Sequence, residues 1–365
     1  QSANASTEEG HSRYCLDLDE SARPAWNDVI AELRSLGATV QRSIPDTAFV
    51  LTAYETSIQR FGIDSVEDPA GHYEVLWSSP PPISPASIAT LAGVEACVEL
   101  GMPSGMQGTT LPGFASRQSY FFGSTTGGEA LRPGPIGSAG LSSIRASQES
   151  GNPGSRVRGA VLEVGFTAPP FTASWHEELD PSLLQVQHPW TGVPLTAFNG
   201  AAFVSYAPQS EIWHGAATSS IIFGAQEAPS NPQGGFGVTG SVPGATGFLL
   251  PVTSHAPGAP PIPGVGPALD WIPAALATAG SQLSPGDVVQ MALGYNQLAV
   301  GPVTFNPAVR TMIAALDTMG IHCVYAAANM GVDISAYTQS TGLGHCVGAI
   351  DPGTGFISSF SNVSS

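Results

Sequence analysis

Apolar and polar positions alternate over residues 13–18, RYCLDL, in the manner of a strand, and the period then changes. Trp26, Val29, Ile30, Leu33 and Leu36 recur at helical spacing, and Gly37 ends that helix. Two strand-like runs follow, 39–44 and 47–53, on either side of the turn signal Pro45-Asp46. A short helical piece over 54–62 leads to a strand over 73–79, which stops at Pro80-Pro81-Pro82. The predicted order is β-α-β-β-α-β, the split ferredoxin-like arrangement. Such a unit is common, and a generic α+β accessory domain accounts for it without any activity.

Residues 84–101, SPASIATLAGVEACVELG, suit a helix, and the stretch from there to Gly154 is rich in Gly, Ser and Pro. Strands and helices then alternate. RGAVLEVGF (158–166) is a buried strand with Glu163 near its carboxyl end, and HGAATSSIIFGAQ (214–226) is a small-residue helix beginning with His214. GDVVQMALG (286–294) is a second buried strand, closed by Gly294. Asn306 caps a helix with Pro307 at its first position and Val309, Met312, Ile313, Leu316 and Met319 on one face. The strand after it, from Ile321, tapers through Ala326, Ala327 and Ala328 to Asn329, and HCVGAI (345–350) gives one more. The expected fold class is α/β, a mostly parallel sheet with helices on both faces, preceded by the small α+β unit. The expected division is 1–82 for that unit, 83–155 for a linker with irregular segments, and 156–365 for the α/β domain. Catalytic side chains gather at the carboxyl ends of such strands, where Glu163 and Asn329 both stand.

Composition narrows the function classes. With 11 cationic residues, all of them Arg, against 28 acidic ones, the net charge is −17, which argues against nucleic acid or anionic membrane as partners. No apolar stretch approaches the ~20 residues of a bilayer span. Cys15, Cys97, Cys323 and Cys346 lack CxxC spacing, so a zinc site is not expected, while buried thiols and one or two disulfides both stay open. Asn4-Ala5-Ser6 and Asn362-Val363-Ser364 are glycosylation triplets, weak support for a secreted chain. His176 in HEELD has no second His four residues on, which excludes HExxH zinc chemistry, and no phosphate-loop or dinucleotide motif occurs. His322 and His345, in strands, suit structural roles.

The α/β segments, taken in order, resemble the subtilisin-like serine peptidases. AVLEVGF with HEEL is similar to that family's aliphatic-Asp-[ST]-Gly and His-x-[DE]-Leu acid motif, and HGAATSSI to the His-Gly-[ST] helix start. DVVQMALG resembles the strand that pairs with the substrate backbone, and AAANMG resembles Ala-Ala-Gly-Asn-x-Gly. CVGAIDP with SSFSNVSS resembles the stretch that follows, and the N-terminal unit is similar to the family's propeptide, a folding chaperone and inhibitor. The resemblance implies that His214 is the general base, that Glu163 orients it, and that the Asn329 side-chain amide is the oxyanion donor. It implies that Ala292, Leu293 and Gly294 pair with substrate and that Ala327 and Ala328 lie against a substrate side chain. It also places the strands of Cys323 and Cys346 side by side.

Taken singly, each of these residues also suits a plain structural role: His214 packed in a core, Asn329 as a strand cap, Glu163 as a solvated strand-end carboxylate. Departures from the pattern are specific. Glu163 stands for Asp, Ala328 for Gly, Ala292 for Ser, and no Gly-Thr-Ser nucleophile triplet occurs in the 365 residues; Ser219 in the histidine helix is poorly placed to replace it. Two functions follow as expectations. One is a secreted endopeptidase acting on peptide or protein substrates, its serine supplied by a complementing C-terminal segment. The other is an inactive relative serving as a binding or structural component of an extracellular assembly. No cofactor is expected, and calcium binding is not readable from these residues.

Overall fold

The structure, a computed structural model, describes residues 12–45, 47–61, 69–77, 81–99, 103–105, 157–166, 179–180, 182–189, 192, 209–224, 240–242, 244–252, 271–295, 302–335, 343–349 and 356–363. The N-terminal part holds β1 (Ser12–Leu18), α1 (Trp26–Ser35), β2 (Thr39–Arg42), α2 (Ala48–Phe61), β3 (His72–Trp77), the single turn α3 (Pro85–Ile88) and β4 (Val94–Glu99). Its four strands form an antiparallel sheet in the order β2-β3-β1-β4. Tyr14, Leu16 and Leu18 on one face of β1 meet Trp26, Val29, Ile30 and Leu33 of α1, the residues whose helical spacing marks that helix.

Two expectations here are corrected. Residues 47–53 are not a strand: the Thr47 hydroxyl accepts a hydrogen bond from the Val50 amide (3.2 Å) and starts α2, with Val50 and Ala53 buried at helical spacing. Residues 84–101 are not one helix. After α3 the chain extends into β4, which pairs with β1 and supplies the sheet's fourth strand.

β5 (Pro103–Gly105) precedes the α/β part, which contains β6 (Arg158–Glu163), β7 (Leu184–Val186), α4 (Gln209–Phe223), β8 (Thr246–Pro251), α5 (Ile272–Gln282), β9 (Val288–Met291), β10 (Leu293–Tyr295), α6 (Pro307–Thr318), β11 (His322–Ala326) and β12 (His345–Val347). Six strands, in the order β12-β11-β9-β6-β8-β7, form a wholly parallel sheet. Helices lie on both faces, as a parallel sheet requires when both are apolar. Ala160 and Leu162 of β6 point to the face carrying α5 and α6, whereas Val161 points to the face of α4 and its Phe223. Two-residue alternation therefore sends the side chain of Glu163 to the α4 side.

The two parts share one core. Cys15, Ile44 and Val50 belong to the same apolar cluster as α5 and α6. The Cys15 thiol donates to Oδ1 of Asn306 (3.2 Å), and Nε2 of His72 lies 2.9 Å from the Thr311 hydroxyl. Asn306 also caps α6 by accepting from the Ala308 amide (2.9 Å), so one side chain starts a helix and ties it to the N-terminal sheet.

Candidate active site

His214 enters the site from α4, which begins at Gln209, so the histidine sits in the second turn and not at the helix start. Its Nδ1 lies 2.9 Å from Oε2 of Glu163; the carboxylate side chain is fully buried and the imidazole is 12% exposed. A carboxylate accepts, so Nδ1 carries the proton in this contact and Nε2 of the neutral ring keeps a lone pair for another proton. Gly215 explains how the helix comes this close. A Cβ there would stand 2.2 Å from the Gly165 carbonyl oxygen, so any larger residue pushes α4 off the loop after β6. Glutamate in place of aspartate at the end of β6 is thus no obstacle to holding the ring.

Asn329 follows β11 at the same, carboxyl-end edge of the sheet, with β9 between β11 and β6. It is half-buried, and its side-chain amide makes no hydrogen bond with any of the described residues. Ala328 before it has φ 72°, a left-handed conformation that suits the Gly usual in the resembling motif. Ala327 and Ala328 are both buried, and the Ala327 amide donates to the Val347 carbonyl (2.9 Å).

Ala292 is half-buried between β9 and β10. Leu293 and Gly294 belong to β10, and an extended segment of this same chain already lies against them. β5 pairs antiparallel with β10, Leu293 opposite Gly105, Gly294 opposite Ser104 and Tyr295 opposite Pro103. Nothing in Pro-Ser-Gly marks a strand in the sequence; only the pairing reveals it.

Other candidates separate from the site. Ser219 is fully buried inside α4. His322 and His345, expected in structural roles, are exposed on β11 and β12 with ring centroids 6.2 Å apart. His176 and the triplet at Asn4 lie outside the described residues. Asn362 is 2% exposed and its Oδ1 accepts two backbone amides, which leaves no room for a glycan. All four cysteines are free thiols. β11 and β12 are indeed adjacent and parallel, but Cys346 faces Tyr325 in register, not Cys323. Burial pushes the Cys97 thiol up to about 12, and raises Cys323 further with help from Asp317. Among the described residues no three His, Cys, Asp or Glu side chains converge to hold a metal, and no helix is long and apolar enough to cross a membrane.

Neither a protein-family model nor a curated protein matches the chain. Solved structures do resemble it at low identity. The epidermin leader peptide processing serine protease (EpiP) from Staphylococcus aureus is 12% identical, with TM-score 0.46 over 97% of this chain and 72% of that one. The prenylagaramide maturation protease PagA is 19% identical, with TM-score 0.36 over 62% of this chain and 64% of that one. The nisin leader peptidase NisP from Lactococcus lactis is 17% identical, with TM-score 0.29 over 59% of this chain and 61% of that one.

Proposed function

We propose that the chain carries the base, its orienting acid and the oxyanion donor of a secreted subtilisin-like serine endopeptidase. The observation that carries this reading is the 2.9 Å contact between Nδ1 of His214 and the buried Glu163 carboxylate. In that role Nε2 of His214 accepts the proton of a serine hydroxyl as it attacks a peptide carbonyl, and then returns it to the leaving amine. Glu163 holds the tautomer and stabilises the imidazolium. The side-chain amide of Asn329, which bonds none of the described residues, meets the oxyanion, a contribution of about 3–4 kcal/mol for such a donor. The substrate is an extended polypeptide whose backbone adds to β10 at Leu293 and Gly294, with Ala292 beside it and Ala327 and Ala328 leaving room for a side chain. β5 supports this mode because it pairs with β10 as a bound peptide does. The N-terminal unit then acts as a propeptide whose tail occupies the substrate strand.

The nucleophile is the open part, since no Gly-Thr-Ser triplet occurs among the 365 residues. That observation favours a second reading, an inactive relative that binds peptide or an extracellular partner through the same strand. A fluorophosphonate probe separates the two. The expected result is labelling of a serine in protein isolated from its native source, on this polypeptide or a co-purifying segment, and loss of labelling in His214→Ala. The recombinant 365-residue chain by itself is expected to remain unlabelled and not to hydrolyse peptides. Absence of labelling in native material rejects the peptidase reading in favour of the inactive one.

A further inference from the structure

The loop from Ala328 to Val332 carries Asn329, and a distant part of the chain holds it on both sides. Asn362, 30 or more residues on, is 2% exposed and touches this loop three times. Its backbone amide donates to the Ala328 carbonyl (3.0 Å). Its side-chain Oδ1 accepts from the amide of Met330 (3.0 Å) and from the amide of Val332 (3.2 Å). Neighbouring backbone contacts extend the clamp: the Gly331 amide donates to the Phe360 carbonyl (2.7 Å), and the Val363 amide to the Val332 carbonyl (3.0 Å). Gly331 has φ 66°, and a Cβ there would stand 2.6 Å from the Ser359 carbonyl oxygen, so the two segments approach at backbone distance.

We propose that Asn362 is the positioning residue for Asn329: its side-chain oxygen fixes the turn that aims the Asn329 amide into the site. The inference rests on the reading of Asn329 as oxyanion donor, and it adds a residue to which that reading assigns no role. Chemistry selects the side chain. The turn presents two N–H groups to one buried point, and only an acceptor can satisfy both. A donor-only group or an alkyl group there leaves two part-buried amides without their protein acceptor. Preorganisation demands such a tie, because a donor that must reorient during the reaction loses most of its electrostatic advantage. Ala328 lies in the left-handed region, so the turn is held in a conformation that its own residue disfavours.

The test uses the full 365-residue chain and amide hydrogen exchange, with the Asn329 side-chain NH2 resonances as a second readout. In Asn362→Ala the amides of Met330 and Val332 are expected to exchange at least ~10-fold faster, the loss of one net hydrogen bond of ~1.4 kcal/mol. The Asn329 side-chain resonances are expected to shift, while protection of β6 and β9 is unchanged. Asn362→Asp, which keeps the acceptor, is expected to restore both readouts. The proposal is overturned if Met330 and Val332 keep their protection in Asn362→Ala, if Asn362→Asp fails to restore it, or if β6 and β9 lose protection equally. Probe labelling of native material is independent of these measurements, so the clamp and the peptidase reading fail separately.

Discussion

Ala328 shows what a single backbone angle does to stability and to the site. A residue with a Cβ at φ 72° carries roughly 1–2 kcal/mol of strain, and glycine relieves it at a loss of roughly 0.5–1 kcal/mol through greater freedom in the unfolded chain. Ala328→Gly is therefore expected to stabilise the fold by about 0.5–1 kcal/mol, read from urea midpoints. Gly331→Ala, three residues on, has the opposite sign, because its Cβ would meet the Ser359 carbonyl oxygen at 2.6 Å. Equal destabilisation by both substitutions would contradict the left-handed geometry at Ala328. The candidate residues of the site are legible in the sequence as candidates. Glu163 ends a strand whose alternation fixes its face, His214 precedes a glycine that only close helix approach requires, and Asn329 ends a tapering strand. Asn362 is legible as a glycosylation triplet and as part of the resembling SSFSNVSS stretch, but its contacts are not, because nothing local shows that its oxygen faces a turn 30 residues earlier.

At the scale of elements, four of the six parallel strands (β6, β9, β11 and β12) and the helices α1 and α6 follow from apolar spacing, and α4 from its run of small residues. β7 and β8 are seen only in the sheet pairing, and the failures have physical reasons. α5 has no amphipathic signal, because Ile272 through Gly280 are all buried and the segment has no polar face to create a period. The second half of α2 is legible as the helical piece 54–62, whereas its first half, Ala48 to Ala53, also suits extended structure, and the Thr47 cap decides it. The same helix packs tightly on the α/β part. A Cβ on Gly280 of α5 would stand 2.2 Å from the Phe49 ring of α2. Gly280→Ala is expected to cost about 1–3 kcal/mol by overpacking. In a Phe49→Ala background the clash is gone, and the same change is expected to be neutral or to stabilise by up to about 1 kcal/mol, because alanine is the better helix former. Denaturation of the four proteins completes the cycle. An equal effect of Gly280→Ala in both backgrounds would mean that α2 does not dock on α5.

The molecule as a whole couples its stability to pH through a histidine outside the proposed chemistry. His188, 1% exposed, packs its ring 5.1 Å from that of Trp271, beside the residue where β8 runs out toward α5. Burial lowers its pKa from 6.5 to about 4, because the apolar surroundings disfavour the charged ring. A depressed folded-state pKa means that the unfolded chain binds the extra proton first. The stabilising term is therefore complete above pH ~6.5, shrinks as pH falls, and is gone below about 4. At ~1.4 kcal/mol per unit the full span is on the order of 3 kcal/mol, large against a typical net stability of ~5–15 kcal/mol. With 28 acidic residues other groups also titrate on the acid side, so the wild-type curve alone does not isolate this one. The difference between wild type and His188→Phe does, since phenylalanine keeps the ring contact with Trp271 and takes up no proton. Urea midpoints measured from pH 7.5 to 4.5 are expected to fall more steeply in the wild type than in His188→Phe as the pH drops. Parallel curves over that range would show that His188 takes up no proton on unfolding there, and that acid acts on the fold through its carboxylates alone.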